Sequence, residues 1–403
     1  MQPLKITIPG KYWDSQLYRG RLYLFGVHGD IQEVAWDAVV DSLSVQEPLR
    51  LALECAFRRS DFLYGPELQT MFGDSEVRDL IRGKFERLAK STLTLSRQRL
   101  VAHEKGRQDN PLPFPHTTCE IYDRTLYVAA PSGITKAGAS GRTKFPISTR
   151  VERMWDAPVV DMAAHWGSLA LAAGDEGLFE MSLYRSYWDS ASRHSDPDQV
   201  ADRPCTQCDW AFHSMFGSSD KGGFLAKFRK GYEPTQDDGP SGRTFERLVT
   251  SEELWGAKGY SWGVQDKLCL AAANHEIRVL RYQPWEEDPD DQISHLGVVR
   301  THPWKGKVVS ASVAPFGVVI ELENALVVHP SVGEPVTLPG EPVNWRVFPR
   351  ALHYQNQLHV AWDDRLEILS FNQDYLADQE TKTLGVSVFG TKARDRERRV
   401  FVP

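Results

Sequence analysis

Apolar and polar residues alternate along this chain with a period near two, in short stretches that keep turning back on themselves. In "SLALAAGDEGLFEMSL" (168–183) an apolar run meets a tip at Gly174 and Asp175, and a second alternating run follows. Successive strand side chains point to opposite faces, so this period predicts strands, and the Gly-Asp tip predicts a hairpin. The pattern recurs at 21–36, 125–137, 267–282, 316–330 and 357–371, and with a longer tip at 210–228. Apolar stretches ahead of several copies, at 159–167, 257–266, 307–317 and 345–357, predict a third strand. Segments such as 244–249 supply a fourth.

After the second copy the starts lie roughly 40 to 57 residues apart, near the spacing of four-stranded propeller blades. One such sheet cannot bury both faces alone, whereas blades stacked around a ring cover each other and protect their edges. The expectation is an all-β fold, a β-propeller of seven blades, with six or eight left open by the weaker copy at 210–228. A β-sandwich explains seven copies of one meander less well. The whole chain, 1–403, then forms one domain, and "LKITI" (4–8) and "LGVSVFG" (384–390) read as strands that complete one blade from both chain ends.

Residues 45–115 break the repeat and predict a helical insertion after the first hairpin. Leu49, Leu51, Leu53, Ala56 and Phe57 cluster as a helix face would, with Pro48 near its start. In 74–93, Asp74 and Ser75 can accept from free amides and Glu76 suits the positive end of a helix. Val77, Leu80, Ile81, Phe85 and Leu88 then form an apolar stripe, leaving Arg78, Arg82, Lys84 and Arg87 largely off it. The polar, proline-rich stretch 103–118, with Lys105 and Arg107, reads as a surface loop.

Composition narrows the function classes. With 403 residues, 41% hydrophobic and 12 Trp, the chain can build a large core. Its apolar runs fall short of the ~20 residues that cross a bilayer. No secretory signal opens the sequence, so no membrane role is expected and a cytoplasmic location is. A net charge of −7 lacks the basic footprint of a nucleic-acid binder. The basic run 391–399 and the acidic run 285–292 read as solvated segments. Five cysteines do not suggest a disulfide framework, and Cys55, Cys119 and Cys269 lie in apolar surroundings.

Candidate chemistry is sparse. Cys205 and Cys208, with His194 and His213 nearby, could bind Zn²⁺ tetrahedrally, but a single pair lacks the second paired motif of structural sites. The expectation is no metal and no cofactor. "SSDKGGF" (218–224) is similar to one structural Asp-box turn, and the Trp-Asp dipeptides at 13, 36, 155, 188 and 362 lack the Gly-His partner of WD40 repeats. No nucleophile elbow, phosphate loop or metalloprotease motif is present. An enzyme, such as a carbohydrate hydrolase, would need two carboxylates on innermost strands facing the axis. A sugar- or nucleotide-sensing propeller would instead show an aromatic pocket.

The seven meanders together with 51–85 resemble divergent propeller accessory proteins of prokaryotic conflict and antiviral defence systems. These include the propeller components of MoxR–vWA ternary systems and the accessory protein beside type III-E CRISPR protease effectors. The resemblance is architectural and implies a non-catalytic scaffold or regulatory subunit in a hetero-complex with a protein partner. Loop-borne Tyr64, Trp188, Trp285 and Trp304 are candidate anchors. Arg78, Arg82, Arg87, Lys105 and Arg107 are the residues expected to meet the partner, through acidic groups on it.

Overall fold

The alternating segments fold as strands because each blade is covered on both faces by its neighbours, so that middle strands such as Ser168–Ala172 and Lys267–Ala272 are buried throughout. The computed structural model describes residues 2–139, 145–183, 196–230, 242–301, 304, 306–379 and 381–388. It shows a seven-bladed β-propeller. Blade 1 contains Tyr12–Tyr18, Arg21–Gly26, Asp30–Ala35 and Glu104–Asp109. Blades 2 to 6 are simple antiparallel meanders whose innermost strands are Thr118–Tyr122, Asp161–His165, Gln207–Ala211, Gly259–Val264 and Val308–Ala314. Blade 7 contains Asn344–Val347, Gln357–Ala361 and Arg365–Ser370. Each innermost strand touches the next around the ring, and that of blade 7 touches that of blade 1.

All seven hairpins form, including the long-tipped copy, where Ser214–Ser219 pairs with Gly222–Lys230. The tip at 174–177 shows why glycine is needed there. A Cβ on Gly177, at φ +102°, would lie 2.1 Å from the Ala201 carbonyl oxygen of the outer strand.

Ring closure departs from the sequence expectation. Leu4–Pro9 pairs antiparallel with Arg365–Ser370 as the fourth strand of blade 7, as its pattern predicts. Residues 384–388 form no strand, and 389–390 lie outside the described residues. Instead the segment after blade 7 runs across blades 6 and 5. Lys382 donates to the Pro315 carbonyl, the Val386 amide to Ala314 (3.1 Å) and the Ser387 amide to Asp266 Oδ1 (2.9 Å). Leu384 and Val386 are apolar because they sit in the core between blades 5 and 6, not because they pair in a sheet.

The insertion also differs from its expected bounds. Helical structure begins at Trp36–Ser42, and 104–109 is the outer strand of blade 1, not a loop. Between them lie the helices Arg50–Phe57, Pro66–Met71, Ser75–Ala89 and Arg97–Ala102. Leu93–Thr94 adds a short parallel fifth strand beside Leu4–Pro9, so blade 7 has five strands where four were expected. Asp74 caps the long helix by accepting from the amides of Glu76 and Val77. Phe85 and Leu88 are buried and Ile81 packs beside them, but Leu80 is 58% exposed and does not belong to the stripe. At 100° per residue Leu80 lies a quarter turn from Ile81, beyond the reach of the core. Leu51 is likewise exposed.

One apolar cluster joins blade 7, blade 1 and the insertion: Ile6, Ile8, Leu24, Trp36, Phe57, Phe85 and Ile368 all belong to it. Polar bonds reinforce it. The Ser370 hydroxyl donates to the Ala56 carbonyl (2.7 Å), the Gln357 amide to Phe57 (3.0 Å) and the Trp36 indole to Phe57 (2.7 Å). The insertion is therefore a clasp over the seam between blade 1 and blade 7, where the N-terminal strand completes the ring.

Candidate functional site

Two regions merit weighing, the axis and the face of the insertion. At the axis, Asp14, Glu120, Asp161 and Asp209 all stand on innermost strands. This is the placement required of an enzyme's carboxylates, but two arginines from blade 7 engage three of the four. Arg346 donates to Asp14 Oδ2 at 2.8 Å. Arg350, in the loop after the innermost strand, reaches across to Asp209 of blade 4 and to Glu120 of blade 2 (3.6 Å). Gln207 of blade 4 spans to the Ala311 carbonyl of blade 6 at 2.7 Å and accepts from the Tyr260 hydroxyl at 2.6 Å. The bonds of Arg350 and that of Gln207 to Ala311 tie together blades that do not adjoin.

The electrostatics follow from that geometry. Burial alone would raise the Asp14 carboxyl, but Arg346 and His116 outweigh it and hold the group well below the usual carboxylate range. Burial pushes Glu120 up despite Arg350. Asp161 makes no ion pair among the described residues; it accepts from the Cys208 amide (2.9 Å), and burial pushes it up to about 7. His359 is buried, its imidazole pushed down to about 3, and bonded to Ser15 and Gln357.

Metal-ligand types do meet, at a place the sequence did not single out. Asp14, His116 and Cys119 are buried with ligand atoms within 4.8 Å of one another. Arg346 already supplies their cation, 2.8 Å from Asp14 Oδ2 and 3.9 Å from Cys119 Sγ. His116 Nδ1 has no partner, whereas a metal-bound histidine usually donates its second nitrogen to one. The group fits an internal ion pair better than a metal. Cys208 lies on an innermost strand, not in a loop. Its thiol faces the Asp161 carbonyl, that of Cys205 faces the Gln207 carbonyl, and His213 bonds to the Phe228 carbonyl (2.8 Å). His194 lies outside the described residues, as do Trp188 and 391–399.

The insertion face carries the opposite sign to the chain. Residues 78–107 hold nine basic and three acidic side chains, a net +6 within a protein of net −7. Arg82, Arg87, Lys105 and Arg107 are exposed and Arg78 is half-buried. Arg82 pairs with Asp79 (3.3 Å), and Arg107 with Glu104 (3.3 Å) and Asp30 (3.6 Å). Arg78, Arg87 and Lys105 make no ion pair among the described residues. The structure places the first three arginines on the long helix and Lys105 and Arg107 on the outer strand of blade 1. The helix Arg97–Ala102 leads directly into that strand. Leu51, Phe62, Met71, Leu80 and Val101 are exposed apolar side chains of the same insertion. Among the expected anchors, Tyr64 is tied down by Asp374 (2.6 Å) and Trp304 packs on His275, while Trp285 is 43% exposed.

No protein-family model matches the chain and no curated protein is similar to it in sequence. Several solved structures are similar to it in shape. Raptor of Chaetomium thermophilum is 10% identical, with 94% of this chain and 30% of Raptor covered and a TM-score of 0.49. PorZ, a surface component of the type-IX secretion system of Porphyromonas gingivalis, is 12% identical over 97% of this chain and 39% of PorZ, TM-score 0.42. The Swd1 β-propeller domain of Myceliophteria thermophila is 11% identical over 65% of this chain and 98% of that domain, TM-score 0.40. The chain thus spans well under half of Raptor and PorZ, and the likeness concerns the fold alone. No described helix is long and apolar enough to cross a membrane.

Proposed function

We propose that this propeller is a non-catalytic interaction module that binds an acidic surface of a protein partner through the insertion face. The observation that carries this reading is the basic run 78–107, net +6 and largely exposed, which spans the insertion's long helix and the outer strand of blade 1 that follows it. Loops and insertions on a rigid scaffold are where binding residues gather. The axis offers less. Arginine occupies three of its four innermost-strand carboxylates, so an open acid pair for glycoside hydrolysis is not what the side chains build. The resemblance to accessory propellers of prokaryotic conflict systems belongs to the same proposal, with the chain as a regulatory subunit of a hetero-complex in the cytoplasm.

Deleting 45–115 would remove the outer strand of blade 1 and is a poor test. Charge reversal is cleaner. Arg82→Glu with Arg87→Glu and Lys105→Glu should leave the ring folded by circular dichroism. It should weaken co-purification of the native partner at least tenfold, and the wild-type interaction should itself weaken with salt. An unchanged yield of the same partner from the folded triple variant would refute the assignment.

A further inference from the structure

A groove of about 690 Å³ opens at the ring's outer edge between blades 4 and 5, within the range of ~300–1,000 Å³ typical of ligand sites. One wall is the short helix Ser251–Trp255, which leads from blade 4 to blade 5 and contributes Leu254 and Trp255. The other is one face of the outer half of blade 5. There the register sets Glu276 opposite Arg300, Arg278 opposite Val298 and Leu280 opposite His295. All six side chains line the groove.

We infer that this groove is a second binding surface, for a short extended peptide carrying an apolar side chain next to a carboxylate. Val298 is 45% exposed and, with Leu254 and Leu280, gives the groove an apolar floor. Arg278 and Arg300 share the single carboxylate of Glu276 through loose contacts of 3.9 and 3.7 Å, and the Arg300 side chain is 90% exposed. One acid against two guanidiniums leaves positive charge over the apolar floor, so the complementary occupant is acidic and apolar together. The Trp255 indole N–H beside that floor is buried and makes no hydrogen bond. An open groove at a sheet edge suits a linear segment better than a compact ligand. This site shares no residue with the insertion face and stands or falls separately from it.

The test is selection of random heptapeptides displayed on phage against the full chain, followed by calorimetry with one selected peptide. Enriched peptides should place Asp or Glu within two positions of a large apolar residue. Val298→Glu with Arg300→Glu should lower the affinity at least tenfold, and Arg278→Glu alone should lower it several-fold. Arg82→Glu with Arg87→Glu should leave it unchanged. Selection without an acidic-apolar consensus would overturn the inference, as would peptides that bind the folded Val298→Glu, Arg300→Glu protein equally well or depend on Arg82 and Arg87.

Discussion

Where blades 7 and 1 meet on the outside, the insertion buries Trp36, Phe57 and Phe85 against Ile6, Leu24 and Ile368. At the axis the same two blades are joined by Asp14 and Arg346, and Arg350 reaches on to blades 2 and 4. The outer joint is apolar and grows with area; the inner joint is ionic and depends on every charge having its partner. Burying apolar surface stabilises at about 25 cal/mol per Å² wherever it occurs. A buried ion pair contributes little net stability against an apolar replacement, yet losing one member leaves a desolvated charge. The two joints should therefore fail differently, the outer one in proportion to volume removed and the inner one according to which partner is left behind.

The outer joint gives the largest expected effect. Phe85 is 1% exposed, has its ring centroid 6.1 Å from that of Tyr375 and lies on the helix that covers the seam. Phe85→Ala should cost about 3–5 kcal/mol, as core Phe truncations do. Leu80→Ala, on the same helix but in solvent, should stay within about 0.5 kcal/mol. Urea unfolding of the two variants checks the contrast, and equal losses would mean that the helix does not clasp the ring by its Phe85 side.

That pair also marks the limit of what the sequence carried. Hairpins were legible because strand alternation is a local signal, repeated seven times, and Asp74 was legible because a helix cap is written in adjacent residues. Leu80 was misassigned because a stripe of five apolar residues is wider than the core it meets; only the packing partner decides which edge stays wet. The strand Glu104–Asp109 was missed because an outer strand with both faces near solvent has no apolar alternation, and Asn110 and Pro111 directly after it look like loop. Residues 384–388 failed in the opposite way, apolar like a strand yet buried without one. The axial network was not legible at all. Asp14, Glu120 and Arg350 are more than a hundred positions apart in the chain, and no spacing announces that a ring will bring them together.

The inner joint comes next in size. Arg346→Met keeps most of the side chain's volume but leaves the buried Asp14 carboxylate to His116 (3.3 Å) without its guanidinium, and should cost about 3 kcal/mol, the lower end for breaking a buried pair. Adding Asp14→Asn removes the stranded charge and should restore part of that loss. Asn can still accept from the Ser15 amide, which bonds to Asp14 Oδ1 at 2.7 Å. A double variant no more stable than Arg346→Met would show that the axis depends on shape and not on charge pairing.

The smallest effect separates Asp161 from its neighbours by pH. Its folded pKa is raised to about 7 from 3.8, so between those values the folded protein holds a proton that the unfolded chain has released. Stability must then fall as pH rises from about 4 to about 7 and change no further above that, all on account of this one group. Asp14 behaves oppositely: held low, its contribution is complete above the unfolded range and lost only in strong acid. A shift of about three units is at most ~4 kcal/mol. Asp161 is only partly shielded from solvent at the axis, and screening reduces the expected effect to about 1–2 kcal/mol. Asp161→Asn keeps an oxygen for the Cys208 amide and removes the charge. It should match the wild type near pH 4 and exceed it by that amount at pH 8, measured by urea unfolding at both values. Equal stability of variant and wild type at pH 8 would mean that Asp161 is solvated well enough to ionise at no cost, and that the axis is wetter than its cross-ring bonds imply.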